Sequence, residues 1–199
     1  MGEMNSIRLC EPLEGADFKP VLDRFGRVLQ RIGAPMEEVQ RMFDAFTWDV
    51  NDIGWVFSSE HVSEFIPPGF TIPLYLTIDG MAPEMGNVVG NWLCCDLYTD
   101  THRLLGPGYF YHAQAQRLVE YVAHELRREF PQAAIYFVDE VQLGDFDAAR
   151  QPDPTKLWEF EYALLPPSLY DTYAAVPATH ATAWHEEYLE AWYQGRWPK

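Results

Sequence analysis

The sequence has few cysteines, few basic residues and no long apolar run, and each shortage argues against a class of protein. There are 3 Cys in 199 residues, an odd number with Cys94 and Cys95 adjacent, so a framework of disulfides is not expected. Neighbouring residues on a strand point to opposite faces, which disfavours a bond between Cys94 and Cys95. We therefore expect reduced cysteines and a cytoplasmic location, where thiols stay reduced.

Positive charge is also scarce. Only 14 Lys or Arg stand against 30 Asp or Glu, which gives a formal net charge of −16. Such a surface repels nucleic-acid phosphates and anionic lipids, so we expect neither direct nucleic-acid binding nor membrane binding. A basic protein partner would be attracted instead.

Signals for membrane insertion and export are missing from the sequence. No apolar stretch approaches the roughly 18 residues of a membrane-spanning helix, so none is expected. The first residues contain neither the basic region nor the apolar region of a secretory signal.

Motifs that carry metal binding or catalysis are absent as well. The histidines and cysteines do not form an HExxH or CxxC pattern, and there is no GxSxG, P-loop or GxGxxG sequence. Cys94 or Cys95 could act as a thiol nucleophile, but thiols in apolar runs are usually inert. We therefore assign no catalytic, cofactor-binding or metal-binding residue and expect no cofactor.

Aromatic residues, by contrast, are abundant. The chain has 7 Trp, 11 Tyr and 12 Phe, enough to build a core, which argues against a disordered protein. We expect a single domain over residues 1–199, because no long linker interrupts the pattern of elements.

Apolar spacing predicts three helices in the first two thirds of the chain. Side chains at i, i+3, i+4 and i+7 mark helices over 18–32 and 110–130, and Pro35 opens another that extends to Phe46. In the long helix, Leu118, Val122 and Leu126 are predicted to face the core.

Apolar and alternating segments predict five strands, at 53–57, 72–78, 91–98, 133–138 and 157–165. Trp184, Tyr188 and Trp192 lie four residues apart, which favours a last helix over 182–194. The element order is then ααβββαββα. This order predicts an α+β fold, with a mixed or antiparallel sheet packed with helices.

Carboxylates near two of these strands suggest a surface for a basic partner. If strands 133–138 and 157–165 pair, six carboxylates gather near one sheet edge: Asp139, Glu140, Asp145, Asp147, Glu159 and Glu161. Trp158 and Trp184 are the predicted aromatic anchors, since Trp is favoured at binding hot spots. The alternatives are a solvated sheet face for the carboxylates and an aromatic stripe packed on the sheet for the last helix.

Several features together resemble a known class of binding protein. They are the small size, the acidity, Gly54-Trp55 on an early strand, Trp92 on a central strand and the aromatic segment Trp158-Glu159-Phe160. The chain resembles bacterial immunity proteins of type VI and polymorphic toxin systems, most of all those paired with restriction-endonuclease-fold nuclease toxins. The resemblance implies a cytoplasmic protein that binds and blocks a cognate, basic toxin or effector by occlusion.

Other classes of function stay open at this point. One is a small cytosolic enzyme of unknown reaction, and another is a phage-type structural or interaction module. A homodimer also stays open.

Overall fold

A single antiparallel sheet runs through the structure, a computed structural model that describes residues 3–85, 88–139 and 156–197. Its strands are β1 (Met4–Leu13), β2 (Trp55–Phe57), β3 (Tyr75–Met81), β4 (Asn91–Asp100), β5 (Ile135–Asp139), β6 (Tyr162–Leu165), β7 (His180–Trp184) and β8 (Leu189–Tyr193). The helices are α1 (Lys19–Arg31), α2 (Met36–Ala45) and α3 (Ala113–Glu129).

The strand order places the N-terminal strand at the centre of the sheet. The eight strands follow the order β2-β3-β4-β1-β5-β6-β8-β7, and each described pair is antiparallel. Strand β1 therefore pairs with β4 on one side and β5 on the other. The two edges of the sheet are β2 and β7.

The three helices cover one face of this sheet and form the main core with it. The predicted helix boundaries agree with the structure to within a few residues. Leu118, Val122 and Leu126 on α3 are each at most 1% exposed, which confirms their predicted position in the core. Arg31 of α1 lies 2.5 Å from the Glu125 carboxylate and ties α1 to α3.

The opposite face carries two smaller apolar clusters. One lies over β5, β6 and β8, where Phe160 and Tyr173 pack on the strands. The other gathers Cys10, Met81 and Cys94 near the β1–β4 pair. The sheet is thus covered by side chains on both faces, which the strands' buried character requires.

The α+β class and the antiparallel sheet are confirmed, but the element order differs from ααβββαββα. Two differences account for this. Strand β1 was not predicted, because its Asn5, Ser6 and Arg8 are polar and Pro12 interrupts its pattern. These polar side chains are nevertheless at least partly buried, since their partners come from distant parts of the chain.

The predicted helix over 182–194 is wrong, because this segment forms the β7–β8 hairpin. Trp184 pairs with Leu189, and the His185 N–H donates to the Tyr188 carbonyl at 2.9 Å. The four-residue spacing of Trp184, Tyr188 and Trp192 suits a helix equally well. Here it arises because the chain turns back at Glu186 and Glu187, so that Trp184 lies on β7 and Trp192 on β8.

The expectation of reduced cysteines also differs from the structure. Cys10 and Cys94 lie directly opposite each other on β1 and β4, with their Cα atoms 4.1 Å apart, and form a disulfide. Cys95 points to the helix-covered face and is a buried free thiol. The sequence could not reveal the pair, because it becomes visible only once β1 is recognised.

Reduction of the Cys10–Cys94 bond should lower the free energy of unfolding. The two residues are 84 positions apart, and closing a loop of that length lowers the entropy of the unfolded chain by the equivalent of about 4.5 kcal/mol. Urea unfolding with and without dithiothreitol measures the difference. Cys94→Ser should remove the sensitivity to reductant, whereas the control Cys95→Ala should keep it. Equal stability of the oxidised and reduced protein would contradict this prediction.

Candidate functional site

The predicted acidic patch is not an open array of carboxylates. The Arg196 guanidinium lies between two of its members, with Nη1 3.1 Å from Asp139 Oδ2 and 3.2 Å from Glu161 Oε1. The Glu161 side chain is only 2% exposed. These two carboxylates therefore take part in a partly buried ion pair network that holds the segment after β8 against β5 and the residue before β6.

The surroundings of Arg196 keep it charged. Burial alone would lower the pKa of Arg196, but the Glu161 carboxylate and a hydrogen bond with Tyr111 raise it above its ordinary value. Burial and the Glu161 charge raise the pKa of the Tyr111 hydroxyl, so it stays protonated. Arg196 is thus a cation at the contact between these segments.

The strand predicted over residues 157–165, with buried and exposed side chains alternating, is wrong in its first half. Strand β6 begins only at Tyr162, and Glu161 does not share an exposed face with Glu159. Glu159 itself is exposed. The other three predicted carboxylates, Glu140, Asp145 and Asp147, lie outside the described residues, and their role stays a prediction.

The two predicted anchors have different surroundings. Trp158 is half-buried in an aromatic cluster, with its ring centroid 5.3 Å from that of Tyr173 and 5.1 Å from that of His180. Trp184 is 58% exposed and touches the edge of the Tyr170 ring, with centroids 4.8 Å apart. Trp158 therefore supports the fold, while Trp184 is available to a partner.

The hydrogen bonds at both ends of the β7–β8 hairpin define which backbone groups face inward. His185 donates its N–H to Tyr188, and Gln194 donates its N–H to the Thr179 carbonyl at 2.9 Å. In an antiparallel pair, bonded and unbonded positions alternate along each strand. Thr179 and His185, the bonded residues that flank β7, are both odd-numbered. The odd-numbered residues of β7 therefore direct their backbone N–H and C=O groups toward β8.

The even-numbered residues of β7 consequently point their backbone groups away from the sheet. His180 is already satisfied, because its N–H donates to Pro177 and its carbonyl accepts from Gln194 Nε2. Thr182 and Trp184 have no such contact with the described parts of the chain. Their N–H and C=O groups form a short open edge beside the exposed Trp184 ring, which we call the β7 edge.

At the other margin of the sheet, the first residue of β2 is covered. Asn51 Oδ1 accepts hydrogen bonds from the N–H groups of Ile53 at 3.1 Å and Trp55 at 2.9 Å. The Asn51 N–H also donates to the Trp55 carbonyl at 2.9 Å. Both outward backbone groups of Trp55 on β2 are therefore used, which is one way in which proteins block edge strands.

The chain segment that contains β7 carries charge of one sign, although Arg127 of α3 lies 2.9 Å from the Glu187 carboxylate in the turn after β7. From residue 157 to residue 195 the chain has no Lys or Arg, while six residues are acidic: Glu159, Glu161, Asp171, Glu186, Glu187 and Glu190. Asp171 and Glu186 are exposed and form no ion pair with a described residue. Asp171 adjoins Tyr170 in the chain, and Glu186 lies in the turn after β7. Sequence reasoning identified Trp184 but missed the strand edge beside it, because the stretch was predicted as a helix.

Two surface cavities are alternative binding places. One of about 500 Å³ is lined by residues that include Glu3, His102 and Tyr109, whose φ of 62° is unusual for a side chain of this size. The other, of about 260 Å³, is lined by Phe57, His61 and neighbouring residues. Within the described ranges, no three His, Cys, Asp or Glu side chains gather as a metal site.

Comparisons with models of protein families, with curated proteins and with solved structures find no match to this chain. Function must therefore be argued from the surface itself. Among the residues described, no helix combines the length and apolar character needed to cross a bilayer.

The buried His180, the first residue of β7, should make the free energy of unfolding depend on pH. Burial lowers the pKa of its imidazole below the ordinary 6.5, against a smaller opposite effect of its contact with the Phe160 carbonyl. Below about pH 6.5 the unfolded chain then binds more protons than the folded one, so the free energy of unfolding falls as the pH drops.

Urea unfolding at several values between about pH 5 and 7 tests this effect. His180→Gln should show a flatter pH dependence than the unmodified protein. His61→Gln, at an exposed histidine, serves as the matched control and should leave the dependence unchanged. The same pH dependence in the His180→Gln variant would contradict the assignment.

Proposed function

We propose that the protein is an antitoxin-like immunity protein that binds and blocks a cognate, basic, secreted toxin enzyme such as a nuclease. The observation that carries the proposal is Trp184, a 58% exposed aromatic residue at an open sheet edge in a stretch with no Lys or Arg. Aromatic side chains surrounded by polar residues are typical of the hot spots of protein interfaces.

In the proposed mechanism, charge determines the rate of association and apolar contact determines the rate of dissociation. The net charge of −16 attracts a basic enzyme over long range and raises the rate of association. Trp184 and Tyr170 then bury apolar surface and slow dissociation. Inhibition follows from occlusion of the toxin's active site, so the immunity protein contributes no catalytic residue.

The cytoplasmic location is part of this proposal, and the Cys10–Cys94 pair bears on it. Structural disulfides persist in oxidising compartments and are rare in the cytosol. Cys10 and Cys94 are buried in the folded protein. Alkylation of the protein denatured directly from the native host therefore separates the two locations, because in the unfolded chain only reduced cysteines react. Labelled Cys10 and Cys94 would support the cytoplasm, and protected ones an oxidising compartment.

Capture of the partner from the native host, followed by alanine substitution, tests the proposed function. The captured protein should be basic, and its enzymatic activity should be lost at equimolar immunity protein. Trp184→Ala should weaken binding by at least about 30-fold, the threshold of a hot spot. Phe57→Ala is the matched control, since Phe57 is 61% exposed at the other margin of the sheet and should have little effect. A partner that is acidic, or not inhibited, would refute the proposal.

Charge reversal at Glu186 distinguishes long-range electrostatic attraction of the partner from short-range contact in the interface. Glu186→Lys should slow association with the basic partner, and the difference should shrink as salt screens charges over about 8 Å. Dissociation should change little. The control Glu60→Lys changes the net charge equally at an exposed site near β2. Equal association rates for the two variants at low salt would show that Glu186 is remote from the interface.

A further inference from the structure

We propose that the β7 edge binds its partner by strand addition: an extended basic segment of the partner pairs with Thr182 and Trp184 as a ninth strand of the sheet. The inference deepens the proposed function and rests on it for the basic character of the partner. It adds the mode of recognition and the backbone groups that carry it.

The backbone geometry supports the first part of the inference. The N–H and C=O groups of Thr182 and Trp184 point outward, while those of Ala181 and Ala183 pair with β8. An extended peptide satisfies such groups with main-chain hydrogen bonds. Strand β7 has 5 residues, so the added segment would match a length of about 17 Å.

Strand β2 differs from β7 in that the outward groups of its first residue are already satisfied. Asn51 uses its own backbone and side chain to satisfy the outward groups of Trp55. Described residues give Thr182 and Trp184 no equivalent. Nothing in the composition of β7 blocks pairing either, because HATAW contains no Pro, Lys or inward charge.

Side chains next to the edge select the occupant. Trp184 and Tyr170 form an aromatic pair against which the stem of a Lys or Arg side chain can pack. Each aromatic residue has an exposed carboxylate close to it in the sequence: Asp171 directly follows Tyr170, and Glu186 lies two residues after Trp184. An extended segment with alternating basic residues therefore complements this edge in both hydrogen bonding and charge.

A second copy of the chain is a poorer occupant. Edge-to-edge pairing of two β7 strands would bring two stretches without Lys or Arg against each other. Like charges across such a contact repel each other. The observations therefore favour a basic segment of another protein.

Titration with designed peptides tests the inference without the natural partner. The probe is a capped octapeptide of alternating Lys and Val, and its acidic counterpart replaces Lys with Glu. Amide NMR signals of the labelled protein report the site of binding. We expect saturable shifts centred on Thr182 and Trp184, and an affinity at least about tenfold weaker for the acidic peptide.

Modified peptides and an edge variant separate strand addition from simple charge attraction. Two further Lys-Val peptides carry N-methyl groups on alternate amides, one set on the odd and one on the even positions. Only one of them should lose binding, because an added strand directs every second amide toward β7. Thr182→Pro, which deletes an outward N–H, should abolish binding, while the control Thr182→Val should keep it.

The outcomes distinguish this inference from the proposed function. Equal binding of both methylated peptides, shifts elsewhere on the surface, no binding of the basic peptide, or self-association through β7 would overturn strand addition. A captured basic toxin that binds Thr182→Pro and Thr182→Val equally would overturn it while leaving the proposed function intact. Peptide binding at β7 without a basic toxin partner would refute the proposed function and keep the edge as a binding site.

Discussion

The pairing of β1 with both β4 and β5 is the contact on which the rest of the structure depends. Without it, the sheet would divide into a β2-β3-β4 half and a β5-β6-β8-β7 half. Buried polar contacts fix this central strand, since Asn5 donates to the Tyr111 hydroxyl and accepts from Thr101. The helices and the β7 edge take their positions from a sheet that β1 holds together.

Ion pairs between elements use several of the few arginines in this strongly acidic chain. Several arginines serve the interior contacts between elements, as Arg24 does with Glu11 and Arg31 with Glu125 and Glu129. Arg196 likewise joins Asp139 and Glu161. Cations are thus used where elements meet, and exposed carboxylates such as Glu186 define the field that an approaching molecule meets.

Helices could be predicted from the sequence, because local spacing of apolar residues decides their buried face. The same reasoning failed where distant partners decide the structure. The polar residues of β1 become acceptable in a sheet only through Tyr111, Asp96 and other residues far along the chain. The pairing of Asp139 and Glu161 with Arg196 was missed for the same reason, since only the fold brings these three side chains together. Trp184 was predicted as an anchor, but its backbone role required the hairpin, which a helix-like spacing concealed.

The central position of β1 also has a consequence for biosynthesis. Its residues leave the ribosome well before their partners, since Asn5 pairs with Thr99 and with Asp139. Until β5 has been made, β1 lacks one neighbour, and its apolar Ile7 and Leu9 are unprotected. Long-range pairing of this kind slows folding and exposes unpaired strands to aggregation. The nascent chain must therefore stay soluble for most of its translation, and its large negative charge, by mutual repulsion between chains, helps it to do so.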